Sequence, residues 1–180
     1  MEFTDVMLDL ETMGNKSNAA IVSIGAVEFN IETGETGREF YDVIDLQSCL
    51  DKGLMIQAST IYWWLQQSDE ARKRICANGG DLSLVLQRFT YWMEDCIDKV
   101  KIWGNGARFD IGLLEDAYVA CNLKTPWYFR SEMDVRTLVA FAPYIKANYS
   151  MIGVEHDPID DCKHQIGYCV EIWNLINKKL

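Results

Sequence analysis

The sequence has no CxxC pair, only two histidines, no polar low-complexity tract and no long apolar run. Without paired cysteines or a histidine pair, it offers no ligand set for a structural zinc site. The cysteines that occur, Cys49, Cys76, Cys96, Cys121, Cys162 and Cys169, are scattered. They read as reduced, mostly buried thiols of a cytosolic protein. No apolar stretch approaches the roughly 20 residues that span a bilayer. The acidic start Met1-Glu2-Phe3-Thr4-Asp5 lacks a signal-peptide pattern, so no membrane partner is expected. Cations are scarce too: 17 Lys and Arg face 27 Asp and Glu, a net charge of -10. That argues against a protein that coats long duplex nucleic acid by neutralising phosphates. It leaves room for an enzyme that holds a short single-stranded end with metal ions and a few basic groups.

What is present is a globular chain: 180 residues, 49% of them hydrophobic, enough for one domain over 1–180 with a sizeable core. Residues 3–10 and 20–30 read as buried strands. The turn Glu32-Thr33-Gly34 leads to a third near 37–44, antiparallel to the second. Helices follow. Ser59 or Thr60 caps 61–67, and Ser68 caps 69–77. Leu82, Val85, Leu86, Phe89, Trp92, Met93 and Cys96 form a helical stripe over 82–97. A short strand at 100–103, a helix at 107–121, a strand near 127–130, a helix at 133–141 and a last helix at 158–177 complete the order. The expected fold is α/β: a mixed sheet with helices on its faces.

The acids carry the chemistry. In Val6-Met7-Leu8-Asp9-Leu10-Glu11-Thr12, a strand puts Asp9 and Glu11 on one face and Leu8 and Leu10 on the other. Two adjacent carboxylates repel unless a cation lies between them. Asp110 ends the segment Gly104-Asn105-Gly106-Ala107-Arg108-Phe109-Asp110, where Asn105 or Gly106 caps a helix and Asp110 occupies its first turn. In Glu155-His156-Asp157-Pro158-Ile159-Asp160-Asp161, Pro158 fits the first helical position and Asp157 the N-cap. His156 and Asp161 then face each other across the start of the helix, as a hydrophobic staple would, and Asp160 reaches back toward the cap. This spacing assigns Asp161 to the site. His164, one turn later, is the second candidate base.

Four acids from separate segments beside a histidine suit phosphodiester hydrolysis by two Mg²⁺ ions about 3.5–4 Å apart, which stabilise the attacking and leaving oxygens. Mg²⁺ prefers oxygen donors and keeps waters, and Mn²⁺ is the expected substitute. A histidine titrates near neutrality and accepts a proton from water.

Asp9-Leu10-Glu11-Thr12, the segment Asn105 to Asp110, and His156 followed five residues later by Asp161 resemble the three exonuclease motifs of the DnaQ-like, or DEDDh, 3′→5′ exonucleases. The segments 9–27 and 60–72 resemble the compact phage and bacterial subgroup that includes phage exonuclease A. The resemblance implies a ribonuclease H-like fold with a five-stranded mixed sheet, its first three strands antiparallel. It implies divalent-metal-dependent release of mononucleotides from the 3′ end of single-stranded nucleic acid, DNA favoured over RNA, in the cytoplasm of a bacterial cell or phage-infected host. It carries Asp9, Glu11, Asp110 and Asp161 over as metal ligands, His156 as general base, and Thr12 and Met13 as contacts to the terminal nucleotide. Asp157-Pro158 departs from the small residues that many relatives have after the histidine.

Other residues have two readings each. Thr12 caps the strand end if it does not touch substrate, and Met13 fills core. Asn105 bonds the terminal sugar or phosphate, caps the helix, or does both. Trp63 and Trp64 diverge by about 100° on a helix, so one packs inward and the other is placed to stack on a base. Trp64 is taken as the stacking residue. Arg72-Lys73-Arg74 draw in phosphates or form a solvated face. Arg130 and Arg136 are phosphate candidates, and Asp134 a helix cap. Self-association into a homo-oligomer is left open. The competing functions are an exoribonuclease on 3′ overhangs, a non-catalytic nucleic-acid-binding module, and a ribonuclease H-like endonuclease.

Overall fold

The computed structural model describes residues 3–94, 100–151 and 153–178. Three strands come first: β1 (Asp5–Thr12), β2 (Ile21–Phe29) and β3 (Thr36–Val43). Then follow α1 (Leu46–Asp51), α2 (Ala58–Trp64), α3 (Asp69–Ile75) and α4 (Leu82–Met93). The second half runs β4 (Lys101–Gly104), α5 (Asp110–Ala120), β5 (Glu132–Asp134), α6 (Val135–Val139), α7 (Pro143–Asn148) and α8 (Pro158–Asn177). The strands form one sheet in the order β3-β2-β1-β4-β5. β1 and β2, and β2 and β3, are antiparallel; β4 runs parallel to β1, and β5 parallel to β4.

β2 is buried throughout and β1 everywhere but at the half-buried Asp9, because both faces of the sheet are covered. On one face Val6, Leu8 and Leu10 meet Leu86 and Phe89 of α4 and Ile111 and Leu114 of α5. On the other, Met7, Val27 and Trp103 meet Ile166, Cys169 and Ile172 of α8. Each such side chain contributes about 1.5–3 kcal/mol on burial. α8 is thereby fixed across β1 and β2, and its first turn lies at the acidic end of β1.

Several boundaries differ from the sequence reading. The last strand is β5 at Glu132–Asp134, not 127–130; residues Phe129–Ser131 form a 3₁₀ turn. Three residues are too short to show a strand period, whereas Trp127-Tyr128-Phe129 just upstream is a run of β-favouring aromatics. Residue 133 is therefore strand, and the helix expected over 133–141 is α6, followed by α7 starting at Pro143. Neither Ser59 nor Thr60 caps α2, which starts at Ala58 after Gln57 without a side-chain cap. Neither Asn105 nor Gly106 caps α5, which starts at Asp110 behind Phe109. The stripe residue Cys96 lies outside the described residues. Among the described cysteines, Cys49, Cys162 and Cys169 are buried, Cys121 is half-buried and Cys76 is exposed. No described helix is long and apolar enough to cross a membrane.

Candidate active site

Asp9 and Glu11 leave β1 on the face covered by α8, while Leu8 and Leu10 enter the opposite core. The register of β1 against β2 shifts between Glu11 and Thr12. Such an irregularity at a strand end re-aims side chains. Asp9 is paired with Gly25 of β2. A Cβ at Gly25 would lie 2.4 Å from the Pro158 Cβ, so only glycine lets the first turn of α8 rest on the sheet. Pro158 is the first helical residue, and the Asp157 carboxylate caps the helix by accepting from Ile159 and Asp160 N–H at 3.0 Å each. Asp160 turns outward and accepts from Val154 N–H at 2.8 Å. Asp161 turns toward β1, and its Oδ2 accepts from the backbone N–H of His156 at 3.1 Å. His156 sits at φ 65°, in the left-handed region that non-glycine residues adopt at a cost of about 1–3 kcal/mol. The Asp161 bond and the ring contacts below hold it there.

Asp110 arrives from β4. The chain turns at Gly106, φ 103°, and Ala107 N–H donates to Asp134 at 3.3 Å, tying this turn to the end of β5. Asp110 is 2% exposed; its Oδ1 accepts from Leu10 N–H at 3.3 Å, and its Oδ2 has no protein partner. The Oδ1 of Asn105 is buried and unpartnered as well. Asp9, Glu11, Asp110, Asp161, His156 and Asn105 all border one cavity of about 160 Å³. Within it Glu11, His156 and Asp161 each offer a ligand atom, and the three atoms lie within 4.8 Å of one another.

This crowding makes ionisation expensive. Burial, then the charges of Asp110, Glu11 and Asp161, push the Asp9 pKa well above the carboxylate range. Burial, then Asp161 and Asp110, raise Glu11 to about 9. Burial lifts Asp110 to about 7 against the pull of backbone N–H groups and Arg136. Burial also lifts Asp161 to about 6, opposed by the His156 N–H. Hard oxygen donors gathered with so little compensating positive charge fit divalent cations such as Mg²⁺ and Mn²⁺.

Three further neighbours complete the site, of which Gln165 was not singled out from the sequence. Gln165, one turn beyond Asp161, donates to Asp9 Oδ1 at 2.9 Å. The i, i+4 spacing on the expected helix was the available signal. Arg136 on α6 borders the acid cavity, whereas Arg130 lies away over the Phe129 ring. Arg74 of the basic run pairs with Asp157, the α8 cap, and so ties α3 to the histidine loop; Arg72 pairs with its neighbour Asp69.

The tryptophans correct the expectation for Trp64. It is the inward ring, 3% exposed, and donates through Nε1 to Thr12 O at 2.9 Å. The accessible ring is Trp63, 42% exposed, whose centroid stands 4.9 Å from that of His156 in an edge-to-face contact. Met13 is buried in the core, and its backbone N–H and C=O are already bonded to Ala20 and Gln57. The Thr12 hydroxyl donates to Gly14 O at 2.7 Å. His164 packs between Tyr149 and Tyr168 and does not border the cavity.

The chain is similar to known nucleases. Residues 4–173 match the family described as the 3′-5′ exoribonuclease Rv2179c-like domain. An exodeoxyribonuclease of Enterobacteria phage T4 is 32% identical over 197 residues, covering 90% of this chain and 86% of the relative. Cell-death related nuclease 4 (CRN-4) superposes with a TM-score of 0.71 at 13% identity, over 96% of this chain and 64% of that one. E. coli exonuclease I in complex with a dT13 oligonucleotide gives 0.66 at 15% identity, and this chain spans 41% of its length. The nuclease domain of 3′hExo, a DEDDh family member bound to rAMP, gives 0.60 at 15% identity over 94% and 90% of the two chains. The chain belongs to the Rv2179c-like 3′-5′ exoribonuclease family and is a 3′-5′ exonuclease with the fold of the DnaQ-like, ribonuclease H-like nucleases.

Proposed function

We propose that this exonuclease cuts the last phosphodiester bond at the 3′ end of single-stranded DNA and releases nucleoside 5′-monophosphates one at a time. The convergence of four acids and His156 on one cavity, with the Asp110 and Asn105 oxygens left unpartnered, carries the reading. Asp9, Glu11, Asp110 and Asp161 would hold two Mg²⁺ ions, or Mn²⁺ in their place. Bound there, the cations supply Lewis acidity to the phosphoryl group and its flanking oxygens.

The chain's own residues do the remaining work. His156 accepts a proton from the attacking water, its ring steadied edge-on by Trp63 and Trp64. Arg136 faces the phosphate with a fixed positive charge. The buried Asn105 Oδ1 accepts a hydrogen bond from the terminal sugar hydroxyl. Trp63 offers its exposed ring to the terminal base, which closes the water-exposed side. Trp64 and Thr12 shape the pocket wall, and Met13 supports it from the core.

DNA is favoured by the phage T4 exodeoxyribonuclease, which is similar over most of both chains. RNA is the second reading, carried by the exoribonuclease description of the family. The test uses matched 5′-labelled DNA and RNA oligonucleotides with free and blocked 3′ ends. With Mg²⁺, the free-ended DNA should give a ladder shortening from its 3′ end. EDTA and Asp9→Ala should abolish it. Faster digestion of RNA would replace the substrate assignment, and cutting of a circular strand would overturn the exonuclease mode.

A further inference from the structure

We propose that a cationic basin beside the acid cavity binds the backbone of the strand that stays attached, with Lys16 and Arg108 holding phosphates on the 5′ side of the scissile bond and Arg136 linking the basin to the scissile phosphate. The proposal rests on the exonuclease reading above. Two larger cavities flank the acidic one and share Phe109 and Asn15 as a common wall. The first, about 450 Å³, presents Trp63, Trp64, Ser59 and Thr60, the aromatic and hydroxyl chemistry that suits a base and a sugar. The second, about 580 Å³, presents Lys16, Arg108 and Arg136. A 3′ exonuclease must hold two unlike pieces: one nucleoside that leaves, and a chain of repeated phosphates that remains. The two cavities divide along the same chemical line.

The charges are placed for this use. Arg38, Arg72, Arg74, Arg88 and Lys163 are each paired with a carboxylate. Lys16, Arg108 and Arg136 enter no ion pair among the described residues, although the chain carries a net charge of -10. They come from three separate segments, after β1, before α5 and on α6, and converge on one basin. Two acids also face it. Asp116 accepts from Asn18 N–H at 2.9 Å and so ties down the loop that carries Lys16; Glu115 lines the same wall. Arg136 borders both the basin and the acid cavity. It reaches there past Gly106, where a Cβ would lie 2.9 Å from the guanidinium carbon. A phosphate track therefore leads without a break from the basin to the acids.

The test compares wild type with the double variant Lys16→Gln/Arg108→Gln, keeping Arg136 because it borders the acids. The substrates are a DNA dinucleotide without a 5′ phosphate and a DNA octanucleotide, each assayed over a range of salt. The octanucleotide KM of the variant should rise about tenfold at low salt, and its log–log salt dependence should flatten by about 1.4, about 0.7 for each lost phosphate contact. Its kcat, its dinucleotide hydrolysis and its thermal midpoint should match wild type. An unchanged octanucleotide KM and salt slope would overturn the basin's role while leaving the exonuclease reading intact. Absence of hydrolysis of either substrate by wild type with Mg²⁺ or Mn²⁺ would overturn both.

Discussion

Replacing Asp110 by Asn should make the metal-free protein more stable and the enzyme inactive. Asp110 is buried, its Oδ1 takes the Leu10 N–H, and its Oδ2 bonds to nothing in the protein. Asparagine keeps the shape and the Oδ1 acceptor and removes the ionisation. Burial raises the Asp110 pKa from 3.8 to about 7. The folded state thus holds a proton that the unfolded chain has released, and stability falls as pH rises from about 4 to about 7, then levels. At about 1.4 kcal/mol per pKa unit, the full cost is about 4 kcal/mol above neutrality. Relaxation of the cavity and mutual relief among the coupled acids reduce this by about half, leaving about 2 kcal/mol. For a chain of this length that corresponds to about 4–8 °C in Tm. The assay is thermal unfolding in EDTA at pH 5, 6, 7 and 8, followed by circular dichroism. The Asp110→Asn advantage should be about two-fifths of its full size at pH 5 and reach that size by pH 8, where Glu11, raised to about 9, still lowers the stability of both proteins. Mn²⁺ should raise the wild-type Tm most at pH 8 and do far less for the variant. A wild-type Tm in EDTA that is flat across this range, with the variant tracking it, would refute the claim that these carboxylates are held together without adequate compensation.

Two further substitutions probe the walls of the site. Trp63→Ala should raise the KM for single-stranded DNA about 10- to 100-fold, in line with about 1–3 kcal/mol of stacking, while Trp63→Phe restores most of it; steady-state kinetics would expose an unchanged KM. Gly25→Ala places a methyl group against Pro158, so the start of α8 must lift and carry Asp161 with it. The expected loss is about 1–3 kcal/mol of stability and about 100-fold in kcat, and full activity at an unaltered Tm would contradict the packing argument.

The acids were legible in the sequence because their placement follows from local rules. Strand alternation separates Asp9 and Glu11 from Leu8 and Leu10, and capping grammar separates Asp161 from Asp160 around Pro158. The same grammar failed at α5, where no side-chain cap exists and the Asn105–Phe109 turn is held instead by Asp134, far along the chain. Arg136 could not be assigned locally either. It reaches the site only because a three-residue β5 pairs with β4 and delivers α6 beside the acids. For Trp63 and Trp64, helical geometry shows that the rings diverge but not which one faces in. The bond from Trp64 to Thr12 decides that, and it spans 52 residues.

The long reach of these bonds also sets when the enzyme comes into being. Leu10 and Asp110 are joined across 100 residues, and Asp9 and Gln165 across 156. Contacts of such separation form late, after loop closure has been overcome. A chain emerging from the ribosome therefore carries Asp9 and Glu11 from the start yet lacks the other half of the cage until its last helix docks. Nuclease activity is therefore expected only once α8 has docked against β1, since Asp161 and Gln165 both ride on that helix.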